Sequence, residues 1–256
     1  MSVYTCYDMV PDCRADNPRG WIHLAKHFVP PLRWMVSRYG GGEPELRGLL
    51  ASMRPFPAEI PPTAEREFIL NARPRVLEAA GWRAGTIGTL DLETFASALA
   101  ELTVLERQLV WFETMGYNAA DTGRLCRTSE ETAAKARASA LEMLRRALDS
   151  WTSTIVRDNA GALAVSARAE APAQPVPFRS YVDIIDGRMT WGNRVAVDRS
   201  LAASWHEVDH YCRVREADAA TRDTKPLSDE DAAPYFALFG VSSPKPPLWK
   251  RVLASR

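Results

Sequence analysis

The residues with the clearest chemical potential are His206, Glu207 and His210, which form the pattern HExxH. On a helix this spacing places two imidazoles one turn apart, where both can bind zinc, and it aims the glutamate at a metal-bound water as a general base. Glu230 and the nearer Glu216 are candidate third ligands. A zinc-dependent peptidase, with His206 and His210 as metal ligands, is therefore one alternative function.

Other features of this segment oppose a metalloprotease. Asp209 places a charge where that class of enzyme prefers an uncharged residue under the metal, and five-letter motifs recur by chance. We therefore expect His206 and His210 to be solvated or hydrogen-bonded histidines on an amphipathic helix, and Cys212 to be a small buried hydrophobe. The sequence predicts a protein with no cofactor, no bound metal and no catalytic residues.

A second candidate site is a helix-turn-helix between residues 118 and 148. Helix caps predict three helices joined by very short turns. The capping residues are Thr103 with Glu106, Asn118, and Thr128 with Glu131. The predicted helix ends are Gly116, about Cys126 and about Trp151. In a helix-turn-helix, a short first helix holds a second helix at a fixed angle, so that the second can enter the major groove of DNA.

The framework residues of this segment follow a specific order. They are Leu102, Thr103, Glu106 and Arg107 of an LTxxER pattern, Gly116 with Tyr117, Ser129 with Thr132, and Ala140, Leu144 and Arg145 of a closing RAxxxLR pattern. The segment resembles region 4 of bacterial sigma factors of the extracytoplasmic-function type. The amino-terminal stretch YDMVPDCRADNPRGW is similar to the start of sigma region 2, so the order of the two regions also matches that family.

The resemblance implies a mainly all-α fold, with a region-2-like domain at residues 1–100 and a region-4-like helix-turn-helix domain at 101–151. It implies a regulator of transcription initiation that binds core RNA polymerase and promoter DNA. The residues expected at the DNA groove or backbone are Arg127, Ser129, Glu131, Thr132, Lys135 and Ser139.

The same segment departs from the family at several positions. Ala134, Ala136 and Ser139 stand where the family usually supplies Lys or Arg, and Arg137 stands where it has a core leucine. Gly123 in the first helix costs about 1 kcal/mol of helix propensity relative to alanine. These departures favour a second interpretation, in which a sigma-derived regulator binds polymerase or another protein without recognising DNA.

The rest of the chain is predicted to be a linker and a small helical domain. Residues 152–178 are rich in Ala, Pro and Ser, which predicts a linker, and residues 179–256 form an acidic domain that ends in a basic tail at 241–256. Residues 182–191 are compatible with a β-hairpin around Asp186-Gly187 or with a helix.

The segment RSLAASWHEVDHYCRVRE resembles the zinc-binding helix of anti-sigma proteins. The zinc ligands of that helix would fall on Ser200, Ser204 and Glu207, none of which is a His or Cys ligand. Zinc binding on that pattern is therefore not expected. The helical frame implies a docking surface through which the carboxyl-terminal domain contacts its own sigma-like half.

The composition of the chain limits which other classes of function are compatible with the sequence. Lys plus Arg number 32 and Asp plus Glu number 32, so no net field draws the chain to nucleic acid or to an anionic membrane. The sequence has no long apolar run and no basic flank followed by an apolar stretch, which predicts a cytoplasmic protein without a membrane span or signal peptide. The four cysteines are scattered and are expected to be reduced.

Overall fold

The fold is all-α, as predicted. A computed structural model describes residues 3–83, 92–148 and 159–242, and within these ranges the regular structure consists of fourteen α-helices and one 3-10 turn, with no strand. The chain divides into two compact units. Unit 1 comprises Met1–Trp82 and Ala220–Arg256, and unit 2 comprises Arg83–Ala219.

Unit 1 is built around one long helix. Its helices are α1 (Cys6–Arg14), α2 (Pro18–Arg38), α3 (Glu43–Ser52), α4 (Phe56–Glu59), α5 (Glu65–Ala79) and α14 (Asp229–Phe236), followed by the 3-10 turn Ala237–Phe239. Helix α2 packs against α1, α3, α5 and α14. Asn17 caps α2, because its side chain accepts a hydrogen bond from the backbone N–H of Arg19 at 3.1 Å.

Two prolines lie inside α2 without interrupting it. Pro30 has no N–H, so the carbonyl of Lys26, one turn earlier, loses its helical partner. The backbone N–H of Leu227 donates to that carbonyl at 2.8 Å. The carboxyl-terminal segment thus satisfies the acceptor that proline leaves free.

Further contacts fix the same segment to α2 inside unit 1. The rings of Trp21 and Phe239 stack with centroids 5.2 Å apart, and Ser228 caps α14 through the N–H of Asp231 at 3.1 Å. At the other side of α2, a Cβ on Gly20 would lie 2.7 Å from the backbone N of Cys13. Glycine is therefore required where α1 crosses α2.

Unit 2 contains the other eight helices. They are α6 (Leu92–Ala100), α7 (Val104–Thr114), α8 (Ala119–Cys126), α9 (Glu130–Leu148), α10 (Ala160–Ala169), α11 (Phe178–Ile185), α12 (Trp191–Ala203) and α13 (Trp205–Arg222), whose last three residues belong to unit 1. Helix α13 is buried on nearly every side from Trp205 to Ala220.

The β-hairpin considered for residues 182–191 is wrong, and the helical alternative is correct. Tyr181, Val182, Ile184 and Ile185 are buried along α11 at helical spacing. Gly187 adopts a φ of +69°, so the Asp-Gly signal marks the end of a helix rather than the turn of a hairpin.

The structure also shows how the predicted linker and tail are organised. Of the linker at 152–178, residues 159–178 are described, and they include α10, which buries Ala162, Leu163 and Ala167. Small side chains let this helix pack closely, which a composition argument misses. Of the predicted basic tail at 241–256, all but residues 241 and 242 lie outside the described part of the chain.

In the described ranges, no helix combines the length and the apolar character that crossing a membrane requires.

Candidate nucleic-acid interface and the HExxH helix

Helices α7, α8 and α9 are joined by short turns and pack against one another, as the sequence predicts. The side chain of Thr103 accepts from the N–H of Glu106 at 3.3 Å, and the carboxylate of Glu106 accepts from the N–H of Thr103 at 2.9 Å. This capping box is as predicted. Gly116 ends α7 with a φ of +77°, and Asn118 caps α8 through the N–H of Asp121 at 2.8 Å.

The cap of α9 differs by one residue from the prediction. Ser129, not Thr128, accepts a hydrogen bond from the N–H of Thr132, at 3.1 Å. Glu131 instead pairs with Lys135, one turn further along the helix. Thr128 uses its backbone N–H to bond the carbonyl of Gly123 at 2.9 Å, which closes the turn between α8 and α9.

Gly123 has a steric reason to be glycine. A Cβ at this position would lie 3.2 Å from the carbonyl O of Thr128 and 3.3 Å from the Cα of Glu130. The absence of a side chain lets α8 approach the first turn of α9. The lower helix propensity of Gly123 is therefore the cost of a close helix crossing.

Helix α9 buries one narrow stripe and leaves ten residues exposed. Ala133, Ala140 and Leu144 are buried, and the helix packs against α6, α7 and α8. The exposed residues of α9 are Glu130, Glu131, Thr132, Ala134, Lys135, Ala138, Ser139, Arg145, Arg146 and Ala147. One face of the predicted recognition helix is therefore open to a partner.

The six predicted contact residues lie in one stretch, but each has a neighbour inside the protein. Ser129 caps α9 and bonds the hydroxyl of Thr132 at 2.8 Å. Lys135 and Glu131 form an exposed ion pair at 2.6 Å. The hydroxyl of Ser139 lies near the carboxyl of Glu106. Burial of Glu106 would raise the pKa of its carboxyl, but bonds from Ser139 and Thr103 outweigh burial and lower it.

Arg127 is the sixth predicted contact residue, and it is held most firmly. It ends α8 in the left-handed region, with φ 54° and ψ 44°. One nitrogen of its guanidinium donates to the carbonyl of Ile185, and the other lies 3.6 Å from the buried carboxylate of Asp218. Nearly half of the Arg127 side chain stays exposed.

The remaining bases of α9 are also paired with acids. Arg137 makes two hydrogen bonds to Glu113 of α7, at 2.6 and 2.9 Å, and only 4% of the Glu113 side chain is exposed. Arg145 and Arg146 both pair with Glu142, which lowers the pKa of that carboxyl to about 2. Arg137 thus replaces the expected core leucine with a charged clamp between α7 and α9.

Sequence reasoning missed the set of polar contacts between α13 and the helix-turn-helix. Asp209 accepts from the indole N–H of Trp111 at 2.7 Å, and Glu216 accepts from the hydroxyl of Tyr117 at 2.5 Å. Arg215 donates to the carbonyl of Leu125 at 2.6 Å. The only sign of these contacts in the sequence was the number of charged residues in α13, a segment that also carries hydrophobic core residues.

The HExxH residues lie on α13, but their side chains are engaged in packing. Glu207 is 1% exposed, and its carboxylate accepts from the hydroxyl of Tyr181 and from the backbone N–H of Val176, the latter at 3.1 Å. Nδ1 of His206 lies 3.1 Å from the carbonyl of Ala167, and His210 meets the ring of Tyr181 edge to face. Burial lowers the pKa of His210.

Glu216, the candidate third ligand that lies in the same unit as this pair, is directed elsewhere. Glu216 is buried against Tyr117, and Glu230 is exposed in the first turn of α14 in unit 1. The described ranges contain no group of three or more His, Cys, Asp or Glu side chains placed to hold a metal ion. Both oxygens of Glu207 accept hydrogen bonds within the protein, from the backbone N–H of Val176 and the hydroxyl of Tyr181.

The three positions of the anti-sigma-like pattern lie around the break between α12 and α13. Ser200 lies in α12, Ser204 separates α12 from α13, and Glu207 is the buried acid described above. Ser204 donates its hydroxyl to the carbonyl of Glu170 at 3.2 Å. The expected helical frame is present, and its buried surface includes Leu201, Trp205, Val208 and Tyr211.

Comparison of the chain with protein-family models, with curated proteins and with solved structures gives no match.

Proposed function

We propose that this protein regulates transcription initiation in the cytoplasm, binding core RNA polymerase and contacting promoter DNA through α8 and α9. The observation that carries the proposal is the capped α7–α9 arrangement with one face of α9 left exposed. A recognition helix needs such a face to enter the major groove. No catalytic role is assigned to the HExxH residues, because Glu207 is occupied by Tyr181 and Val176.

The ion pairs on α9 do not prevent contact with phosphate. Lys135 and Glu131 are both about three-quarters exposed, and exposed pairs four residues apart on a helix contribute only about 0.3–0.5 kcal/mol. A phosphate can therefore compete for Lys135 at small cost. Ser129, Thr132 and the amides at the start of α9 add neutral donors for the DNA backbone.

Selection of bound duplexes from a randomised DNA pool, followed by titration at several salt concentrations, tests DNA contact with the full chain. We expect enrichment of a common sequence and an affinity that falls as salt rises. Lys135→Ala should lower the salt slope by about 1, as loss of one phosphate contact predicts. Arg146→Ala removes an equally exposed base three turns along α9 and serves as the matched control.

Polymerase binding is tested separately by co-purification of the full chain with core RNA polymerase. We expect polymerase to be retained by the wild-type chain and by the Lys135→Ala variant, because that substitution removes only a DNA contact. Absence of polymerase from the purified chain would contradict this half of the proposal. A salt-independent interaction with DNA, or equal effects of Lys135→Ala and Arg146→Ala, would contradict the other half.

The second candidate function is docking of α9 on a protein without DNA recognition. It is favoured by Ala134 and Ala138 on the exposed face, and by the pairing of each α9 base with an acid. Ala138→Arg separates the two functions. An added base one turn from Lys135 should strengthen DNA binding several-fold if the face meets phosphate, whereas its bulk should weaken polymerase retention if the face meets protein.

A further inference from the structure

We propose that α13 is a brace that positions the turn of the helix-turn-helix, and that Arg127 is a positioning residue within this brace. The inference rests on the proposed function for its effect on DNA binding. It assigns the carboxyl-terminal part of unit 2 a supporting role rather than an inhibitory one. The basis is the set of contacts that α13 and α11 make with α7, α8 and the turn.

The contacts of α13 come from more than one face of that helix. Asp209 and Glu216 are two turns apart on one face, and Arg215 and Asp218 extend the contacts around the helix. In chain order, these four residues bond Trp111 of α7, the carbonyl of Leu125 in α8, Tyr117 between these helices, and Arg127 at the end of α8. Three of these four residues are among the buried charged groups of the chain: Arg215, Glu216 and Asp218.

The end of α8 is built so that it needs this support. The last carbonyls of a helix have no partner within the helix, and Arg215 satisfies that of Leu125 from outside at 2.6 Å. Arg127 occupies the position after α8 that usually holds glycine, because its backbone lies in the left-handed region. A bulky residue adopts this conformation at a cost in free energy, so contacts of the Arg127 side chain must offset that cost.

The guanidinium of Arg127 provides the compensation. It donates to the carbonyl of Ile185 at the end of α11 and approaches the buried carboxylate of Asp218 in α13. Arg127 thus joins three elements: the turn before α9, the end of α11, and α13. Since Ser129, two residues later, caps α9, the direction of the recognition helix depends on this junction.

The brace does not cover the face that would meet DNA. The elements packed most closely on α9 are α6, α7 and α8. Residues Thr132, Lys135, Ala138 and Ser139 stay exposed in the presence of α13. A helix that inhibited the domain by occlusion would bury these side chains. The contacts therefore fit positioning, which should raise DNA affinity by reducing the motion of α9 before it binds.

Amide hydrogen exchange of the full-length protein, with and without Arg127→Gly, tests the brace directly. The informative amides are those of Arg127 and Thr128, which close the turn on the carbonyls of Arg124 and Gly123. Glycine relieves the left-handed backbone, so without a brace it should slow exchange in the turn. If the guanidinium positions the turn, exchange at Thr128 should instead become about tenfold faster.

Two further variants complete the exchange test. Asp218→Asn keeps the shape of the partner and removes its charge, and it should shift exchange at Thr128 in the same direction by a smaller factor. Arg127→Lys keeps a cation that can reach the carbonyl of Ile185, and it should recover part of the protection. Unchanged or slower exchange in Arg127→Gly would overturn the brace.

DNA affinity gives an independent measurement on the same variants. Arg127→Gly and Asp218→Asn should weaken binding, whereas Lys135→Ala should weaken binding with no change in exchange at Thr128. Tighter binding by Arg127→Gly or Asp218→Asn would show that α13 inhibits the domain and would overturn the proposal. If the wild-type chain binds no DNA, the proposed function fails, and the exchange measurements alone decide whether the brace exists.

Discussion

His23 on α2 is a partly buried histidine whose surroundings in the folded protein lower the pKa of the ring. Burial, followed by the neighbouring His27 and Arg19, lowers its pKa from 6.5 to about 4. The imidazoles of His23 and His27 stack with centroids 4.1 Å apart, and Nε2 of His23 is buried without a hydrogen-bond partner. Charging this ring is therefore unfavourable in the folded state.

The lowered pKa of His23 predicts an acid-sensitive stability. Between pH 6.5 and about pH 4 the unfolded chain binds a proton at His23 that the folded chain does not, so the free energy of unfolding should fall as pH falls through this window. Urea unfolding at several pH values measures this slope. His23→Gln should make the slope shallower, and a slope unchanged by the substitution would contradict the assignment.

At the scale of elements, the clamp between α7 and α9 shows how this chain departs from an apolar helix-turn-helix core. Arg137→Leu supplies the residue expected at this position by resemblance, but it leaves the carboxylate of Glu113 buried without its bidentate partner. We expect a loss of about 2 kcal/mol in the free energy of unfolding, since uncompensated buried charge is costly. Thermal or urea unfolding measures it.

The double variant Arg137→Leu with Glu113→Leu is the control for this prediction. It removes both charges together, and replacement of a buried ion pair by apolar residues is often neutral or stabilising. The double variant should therefore recover most of the stability lost in Arg137→Leu. A double variant no more stable than Arg137→Leu would show that the loss comes from packing and not from the unpaired acid.

Whether a contact could be predicted from the sequence depended on how far apart in the chain its two residues lie. The caps at Asn17, Thr103, Asn118 and Ser228 were predictable because a cap is a contact within four residues. Pairing across the sequence was not, since nothing local specifies that the carbonyl of Leu125 is bonded ninety residues later by Arg215. The candidate site follows the same division: its helices were predicted, and its brace was not.

At the scale of the whole molecule, composition suggested boundaries that the packing does not follow. An Ala, Pro and Ser content typical of linkers also suits a small-residue helix such as α10, which is buried in unit 2. Unit 1 is discontinuous in sequence, because residues after Ala220 return to it. A discontinuous unit leaves no mark in a linear composition profile.

This organisation predicts that a chain ending at Trp151 does not fold cooperatively. The cut removes from unit 1 the segment whose Leu227 bonds the carbonyl of Lys26 and whose Phe239 stacks on Trp21. It removes from unit 2 the helix α13, which supplies partners to α7 and α8. Without them, buried apolar surface and helix-end acceptors become exposed in both units.

Near-ultraviolet circular dichroism and thermal unfolding of the shortened chain measure this effect. We expect a weak near-ultraviolet signal and a broad transition for the chain that ends at Trp151. A chain ending at Ser242 keeps every described helix and should unfold cooperatively, which makes it the control. A sharp transition in the shorter chain would show instead that residues 1–151 are an autonomous half, and that the carboxyl-terminal helices are an appendage to it.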